Sequence, residues 1–301
     1  MEMSAEKKTR TPAKLADNPV AALLRDRKAA ILDKDGVIVD ISSLLHENMR
    51  RGFTFARGKG LDSCDFGYSK ETTYKLRGLS AEYNGGIPPI MAILAVNRFS
   101  VSRENAARLS ADEILSGIIS EKEGAMKLGN MISKHTNQDD VATARLIYMW
   151  DSGSFFSSAD AAGYVKPIEG SREAILQLLD LHSGKVGILT NTPTSAAVER
   201  DLLTVFSRQE LKHIHIIGGE AVPASKPSPL GAVALMERMR VSPEETYMVG
   251  DTPVDIATAR NAKIASVGVL SGMGTKEVLT YESPDVIADS LASFVSMLRG
   301  V

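Results

Sequence analysis

Apolar and polar positions alternate in short blocks along the second half of the chain. Short runs rich in apolar residues predict buried strands at Ala29–Leu32, Lys185–Leu189, His213–Ile217, Thr246–Val249 and Ile264–Leu270. Helical spacing of the apolar residues predicts helices at Ser171–Leu181, Pro193–Val205, Pro229–Arg240, Val254–Asn261 and Ser290–Leu298. Strands that alternate with helices build a mostly parallel sheet. The sequence therefore predicts an α/β fold.

The stretch 42–165 follows a different pattern, with few strand candidates. Apolar residues recur at helical spacing in Leu44–Phe55, Ile90–Phe99, Ala106–Ile119 and Val141–Trp150. A polar, glycine-rich interval, Arg57–Gly86, interrupts the helical pattern. We predict a mainly helical domain inserted after the first strand. The α/β core would then comprise 28–41 and 166–301, and 1–27 would form a partly disordered arm.

Composition narrows the class of protein. The chain has 301 residues, 44% of them hydrophobic, and a formal net charge of -2. Such a balance creates no global field to recruit nucleic acid or anionic lipid. The single cysteine, Cys64, suits a reducing compartment, and no apolar stretch approaches the ~20 residues of a membrane span. We expect a cytoplasmic protein without nucleic-acid or membrane partners, and the sequence leaves its oligomeric state open.

Two pairs of aspartates follow predicted strands directly. Asp33 and Asp35 come after the first strand, and Asp251 and Asp255 come after the strand Thr246–Val249. The carboxyl ends of strands in an open α/β sheet are where ligands bind. Carboxylates gathered there need a compensating cation, or some of them must stay protonated. Hard oxygen ligands favour Mg²⁺ as that cation.

Three later loops place a Ser or Thr before a proline at the start of a predicted helix. They are Thr192-Pro193, Ser228-Pro229 and Thr252-Pro253. Helix N-termini that point into one crevice bind anions, and phosphate is the expected ligand. Nearby, Lys226 adds a positive charge, while Thr190 and Asn191 add directional donors. Together with the paired aspartates, these loops indicate phosphoryl chemistry.

With these motifs the chain resembles the haloacid dehalogenase superfamily of phosphohydrolases, most closely phosphoglycolate phosphatases and β-phosphoglucomutase. DKDGVIVD at 33–40 is similar to the first motif, DxDGxxxD, and Thr190 stands at the second. Lys226 in SKPSP stands at the third, and GDTPVD at 250–255 matches the fourth, GDxxxD. The motifs occur in the family's order. The resemblance implies a Rossmann-like core with a helical cap inserted after motif one.

The resemblance also implies roles for the aspartates. Asp33 would be the nucleophile that forms an aspartyl phosphate, and Asp35 the general acid and then the base. The Asp33 carboxylate, the Asp35 main-chain carbonyl and Asp251 would hold Mg²⁺, with Asp255 nearby or bound through water. The presence of Asp35 argues for phosphate-ester chemistry, because dehalogenases need no second acid.

The remaining motif residues would handle the substrate. Thr190, the amide of Asn191 and Lys226 would clamp the phosphoryl oxygens. The cap is expected to choose a small phosphorylated metabolite, and its specificity candidates are Arg77, Tyr83 and Asn84. For Lys34 a solvent-facing side chain is favoured over one that receives the substrate, and for His46 a structural role is favoured over a catalytic one.

These expectations combine into a Mg²⁺-dependent phosphatase with a phosphoglycolate-type monoester as the first candidate substrate. A phosphosugar mutase of the β-phosphoglucomutase kind is the enzymatic alternative. A protein that binds a phosphate ligand without turnover is the alternative from another class, and the intact set of motif residues argues against it.

Overall fold

The computed structural model describes residues 24–59, 66–79, 90–95, 111–120, 124–149, 155, 158–221 and 223–300. The strands among these residues are β1 (Ala29–Leu32), β2 (Val39–Asp40), β3 (Lys166–Pro167), β4 (Val186–Leu189), β5 (His215–Ile217), β6 (Thr246–Gly250), β7 (Ala265–Val269) and β8 (Val286–Ala288). One sheet has the order β5-β4-β1-β6-β7-β8. Each neighbouring pair in it is parallel. The predicted parallel sheet is confirmed.

Helices occupy the connections between these strands. They are α1 (Ser42–Gly58), α2 (Lys70–Leu79), α3 (Ala111–Ser120), α4 (Gly124–His135), α5 (Gln138–Met149), α6 (Ser171–Leu181), α7 (Ser195–Leu202), α8 (Arg208–Leu211), α9 (Leu230–Met239), α10 (Pro253–Asn261), α11 (Lys276–Glu282) and α12 (Leu291–Arg299). Residues 90–95 are also helical. Within the described part of the chain, each helix is too short or too polar to cross a lipid bilayer.

Both faces of the sheet are buried, as side chains along a strand point alternately to opposite sides. In β1, Ala30 and Leu32 share a buried cluster with residues of α6 and α12, such as Leu178 and Phe294. Ala29 and Ile31 share a second cluster with residues of α9. The strands therefore read as continuous apolar runs, which is typical of a parallel sheet covered on two faces.

A short antiparallel ribbon lies where the chain leaves the core and returns to it. In this ribbon β2 pairs with β3, with Val39 opposite Pro167 and Asp40 opposite Lys166. Between the two strands, helices α1 to α5 build a hydrophobic cluster of their own around Phe53, Leu76 and Ile93. We refer to residues 42–165 as the proposed cap.

Seven of these strands and helices were missed by the sequence analysis, among them the short β2, β3 and α8. Helix α2 lies inside Arg57–Gly86, the interval read as an interruption, and α4 was not predicted. The helix α11 and the strand β8 close the sheet at a point where no element was expected. α2 is largely polar and β8 has three residues, so neither carries enough periodic signal to be recognised alone.

The last residues of the predicted arm are docked on the core. Leu24 is buried in the same cluster as α12. The Arg25 guanidinium donates to the carbonyl of Met297 at 3.1 Å, and Arg27 donates to the carbonyl of Pro243 at 3.1 Å. The remainder of the arm, 1–23, lies outside the described residues.

Candidate active site

The sheet order brings the motif residues together. Strands β4, β1 and β6 are neighbours, and all run in the same direction. Asp33 follows β1, Thr190 follows β4 and Asp251 follows β6, so all three residues stand at one edge of the sheet. Lys226 reaches this edge from the loop between β5 and α9.

Lys226 links two of the aspartates. Its Nζ lies 2.7 Å from Asp33 Oδ1 and 2.6 Å from Asp255 Oδ1. Asp255 is fixed further by the start of α10, where its Oδ2 accepts from the Thr252 hydroxyl at 2.6 Å and from the Thr252 amide at 3.1 Å. The carboxylate of Asp255 is thus both a helix cap and an ion-pair partner.

Asp251 completes a cluster of three buried carboxylates. Oxygens of Asp33, Asp251 and Asp255 all lie within 4.8 Å of one another. Asp251 Oδ2 accepts from the amide of Met273 at 2.7 Å, whereas Oδ1 is buried without a hydrogen-bond partner. Three ionised carboxylates against the one ammonium of Lys226 leave a local charge of about −2, which a divalent cation neutralises. The oxygen-only donor set suits a hard ion such as Mg²⁺.

Glycines allow the backbone to close around Asp251. Gly36 has a φ of +79°, and a Cβ on it would lie 2.3 Å from Asp251 Oδ2. A Cβ on Gly272 would lie 2.0 Å from the same oxygen. The Ser271 hydroxyl donates to the Gly36 carbonyl at 2.7 Å, which ties these two loops together. Only residues without a side chain fit on this side of the carboxylate.

Burial dominates the electrostatics of the cluster. It raises the pKa of Asp33 from 3.8 to about 7, with Lys226 opposing the shift and Asp255 and Asp35 adding to it. Burial, reinforced by Asp255 and Asp33, also raises the pKa of Asp251 well above its ordinary value. Burial lowers the pKa of Lys226, but the adjacent Asp255 and Asp33 outweigh it and the net shift is upward. Without a metal, the carboxyl groups of Asp33 and Asp251 therefore keep their protons to a higher pH than usual, and a bound cation would displace those protons.

Asp35 lies beside the phosphate-binding candidates. Its Oδ2 accepts from the Thr192 hydroxyl at 3.2 Å and from the Thr190 hydroxyl at 3.5 Å. The Thr190 hydroxyl in turn accepts from the amide of Thr192 at 3.1 Å. The sequence analysis named Thr192 only as a helix start, and that expectation was wrong, because α7 begins at Ser195 with Thr194 as its N-cap. The position of Thr192 two residues after Thr190 was the available signal, since the chain turns there into the loop before α7.

The favoured interpretation of Lys34 was wrong. Its side chain is buried rather than solvent-facing, with only 1% exposed. Its Nζ lies 2.6 Å from Asp35 Oδ1 and 2.5 Å from Asp201 Oδ2. Burial by itself would lower the pKa of Lys34, but Asp35 and Asp201 raise it. The partner Asp201 belongs to α7, 167 residues further along the chain, so no local pattern could reveal it.

Asn191 holds the loop of Lys226 in place. Its side-chain Oδ1 accepts from the Lys226 amide at 2.8 Å, and its Nδ2 donates to the Lys226 carbonyl at 3.3 Å. The structure thus gives the Asn191 side chain a positioning contact, and phosphate binding by its main-chain amide stays a prediction.

The family follows from a comparison with known proteins. A family model for haloacid dehalogenase-like hydrolases matches residues 27–263. The chain belongs to this family. That match contains β1, β4 and β6 and all the motif residues described above.

Curated relatives of this haloacid dehalogenase-like hydrolase include two phosphoglycolate phosphatases. The protein from Vibrio vulnificus (strain YJ016) is 38% identical over 85 residues, which is 28% of this chain and 37% of that protein. The protein from Escherichia coli (strain K12) is 32% identical over 113 residues, which is 38% of this chain and 44% of that protein. The matched segments thus span less than half the length of these relatives.

Solved structures extend the similarity over most of the hydrolase chain. A proposed phosphoglycolate phosphatase from Lactobacillus delbrueckii subsp. bulgaricus superimposes with a TM-score of 0.60 at 19% identity, covering 91% of this chain and 98% of that one. A haloacid dehalogenase-like family protein from Streptococcus pneumoniae gives a TM-score of 0.52 at 17% identity, covering 88% and 95%. At these identities the comparison supports the fold alone.

The hydrolase's proposed cap contributes a side chain that was not predicted. Tyr74 of α2 packs against the main core cluster, and its hydroxyl is buried without a hydrogen-bond partner. Burial and the nearby carboxylates of Asp251, Asp40, Asp35 and Asp33 raise its pKa. The phenol therefore lies within electrostatic range of the aspartates.

Other cap candidates have different outcomes. His46 Nδ1 lies 3.2 Å from the Thr73 hydroxyl, and its ring packs against Phe66, which agrees with the structural role favoured for it. The side chain of Arg77, together with Tyr83 and Asn84, lies outside the described residues. Their proposed part in substrate choice stays a prediction.

Proposed function

We propose that this hydrolase is a Mg²⁺-dependent phosphatase that hydrolyses a small phosphorylated metabolite through an aspartyl phosphate on Asp33. A phosphoglycolate-type monoester is the first candidate substrate, in keeping with the activity named for the curated relatives. One observation carries the proposal. The three-carboxylate cluster of Asp33, Asp251 and Asp255 is paired with Lys226 at the sheet edge where Asp35 meets Thr190.

The donor set fits the proposed cofactor. Asp33 and Asp251 are the best carboxylate ligands, because both oxygens of Asp255 already accept hydrogen bonds. Asp251 Oδ1 accepts no hydrogen bond, so its lone pairs are available to coordinate an ion. When bound, Mg²⁺ would screen the charge of the nucleophile and of the phosphoryl group.

The residues of the chain divide the reaction into two displacements. In the first, a carboxylate oxygen of Asp33 bonds to phosphorus while the bond to the leaving oxygen breaks, and Asp35 gives that oxygen its proton. In the second, water attacks the same phosphorus, Asp35 takes the water's proton, and Asp33 leaves as a carboxylate. Thr190 and Lys226 hold the phosphoryl oxygens, where positive and donor groups stabilise the transition state.

Release of phosphate from a panel of phosphorylated metabolites, with and without Mg²⁺, tests this proposal. Asp33→Asn keeps the shape of the nucleophile and should abolish turnover of every ester. Asp289→Asn changes an exposed carboxylate elsewhere and is the matched control. Asp35→Asn should slow hydrolysis of the phosphorylated protein, which intact-mass spectrometry detects as one added phosphoryl group.

The outcomes separate the proposed function from its alternatives. Mg²⁺-dependent phosphate release that is abolished in Asp33→Asn, slowed in Asp35→Asn and retained in Asp289→Asn supports the phosphatase. Conversion of one sugar phosphate into an isomer, without free phosphate, would replace it by the mutase. Binding of a phosphate analogue with no turnover of any ester would replace it by the non-catalytic binding protein.

A further inference from the structure

A row of alternating charges, buried at its two central residues, connects α7 with the catalytic loop. It runs from Arg200 through Asp201 and Lys34 to Asp35. The Arg200 Nη2 and Asp201 Oδ1 are 2.6 Å apart, and the Lys34 Nζ lies between the carboxylates of Asp201 and Asp35 at 2.5 and 2.6 Å. Lys34 and Asp201 are both buried, while 17% of the Asp35 side chain is exposed.

This row determines the orientation of the Asp35 carboxylate. One oxygen, Oδ1, receives the Lys34 ammonium, and the other, Oδ2, receives the hydroxyls of Thr192 and Thr190. A carboxylate held on both oxygens has a defined side-chain torsion, whereas one held by a single donor can rotate. The buried Lys34 is itself restrained, because Asp201 is fixed to α7 and to Arg200.

Stability alone is a weak reason for this arrangement. Buried ion pairs lose much of their Coulomb energy to desolvation, and apolar residues of similar volume often serve as well. Val37 and Ile38, three and four residues later in the same loop, are fully buried and apolar. A lysine at position 34 therefore calls for a purpose that an aliphatic residue cannot supply, and its one solvent-accessible partner is Asp35.

We propose that Lys34 is a positioning residue, anchored on Asp201, that holds the Asp35 carboxyl in the geometry required for proton transfer to the leaving oxygen. The inference rests on the proposed function, because it takes Asp35 as the proton donor. Lys34 does not touch the substrate in this account. It acts through Asp35, so its contribution to the rate exists only while Asp35 is present.

A double-mutant cycle tests that dependence. Lys34→Met keeps the length of the side chain and removes its charge, and it is measured alone and combined with Asp35→Asn. We expect Lys34→Met to lower kcat for an alkyl phosphate such as phosphoglycolate at least tenfold, with KM nearly unchanged, since general acid catalysis contributes about 10²- to 10⁴-fold. In the Asp35→Asn background the same change should cost less than about twofold.

The leaving group supplies an independent readout. The first-turnover release of p-nitrophenol from p-nitrophenyl phosphate needs no proton from Asp35, because nitrophenolate is a stable anion. Lys34→Met should therefore slow this burst far less than it slows the first turnover of the alkyl phosphate. A purely structural lesion would slow both alike. Lys212→Met, an exposed lysine, is the matched control.

Asp201→Asn is the second variant in case Lys34→Met does not fold. It leaves the ammonium on Asp35 and removes only the anchor, so it should give a smaller loss with the same dependence on Asp35 and on the leaving group. Multiplicative losses in the cycle, or equal losses for both leaving groups, would overturn the inference. A wild-type protein without phosphatase activity, or full alkyl-phosphate turnover by Asp35→Asn, would instead overturn the proposed function.

Discussion

Replacement of Gly272 by alanine probes how tightly the metal-site candidate is enclosed. The new Cβ would lie 2.0 Å from Asp251 Oδ2 and 2.4 Å from its Cγ, although Cβ atoms keep at least 3.0 Å from such neighbours. The carboxylate or the 270–274 loop must therefore move by about 1 Å. A displacement of about 1 Å at a catalytic centre costs on the order of 100-fold in rate. We expect kcat/KM to fall by about this factor, and the affinity for Mg²⁺ to weaken with it.

Two measurements check this expectation independently of each other. Phosphate release gives kcat/KM, and calorimetric titration with Mg²⁺ gives the affinity even if the substrate is misassigned. Gly163→Ala is the control, because its Cβ would meet no atom within 4 Å. Far-ultraviolet circular dichroism should match the wild type for both variants. Gly272→Ala with a kcat/KM and a Mg²⁺ affinity within about twofold of the wild type would refute the reasoning.

Three further predictions concern charge and burial at the site. Lys226→Met leaves the buried Asp33 and Asp255 without their ammonium, so urea unfolding should show a loss of about 3 kcal/mol or more; an unchanged midpoint would contradict the ion-pair geometry. The raised pKa values of Asp33, to about 7, and of Asp251 mean that the metal-free folded protein holds protons that the unfolded chain has lost. Its unfolding free energy should therefore fall as pH rises from about 5 to 8, and Mg²⁺ should raise Tm more at the higher pH, with the opposite trend counting against the cluster. Tyr74→Phe removes a buried hydroxyl that has no partner among the described residues, so Tm should hold or rise. If the substrate supplies the missing partner, KM should also increase; an unchanged KM would show that the phenol does not contact the substrate.

Local signals in the sequence were sufficient for the core and for the sheet edge where the candidate site residues lie. The strand Ala29–Leu32 and the helix Ser171–Leu181 appear in the structure with the predicted bounds. The strand is apolar and buried at every position, and the buried residues of the helix recur at helical spacing, so both give a clear signal in the sequence. Asp33 and Asp251 follow such runs directly. Because parallel strands end at a common edge, their proximity could be anticipated from chain order alone.

Features that depend on distant partners could not be anticipated. Lys34 looks solvent-facing in isolation, and only the fold brings it to Asp201. The helix α2 was missed because its stability comes from packing on α1 rather than from its own apolar residues. Tyr74 escaped notice for the same reason, since its role depends on where that helix docks.

If the proposed cap selects the substrate, the ribbon of β2 and β3 allows the chemistry and the choice of substrate to evolve separately. Asp40 and Lys166 face each other across it, so removal of the proposed cap would leave two chain ends that a tight turn could join. The motif residues all lie outside that segment. A different insertion at the same ribbon could therefore recognise a different metabolite while the phosphoryl site stays intact. Such an exchange must satisfy one physical condition. Leu44 and Leu45 of α1 are part of the main core, so any replacement must cover the same apolar surface.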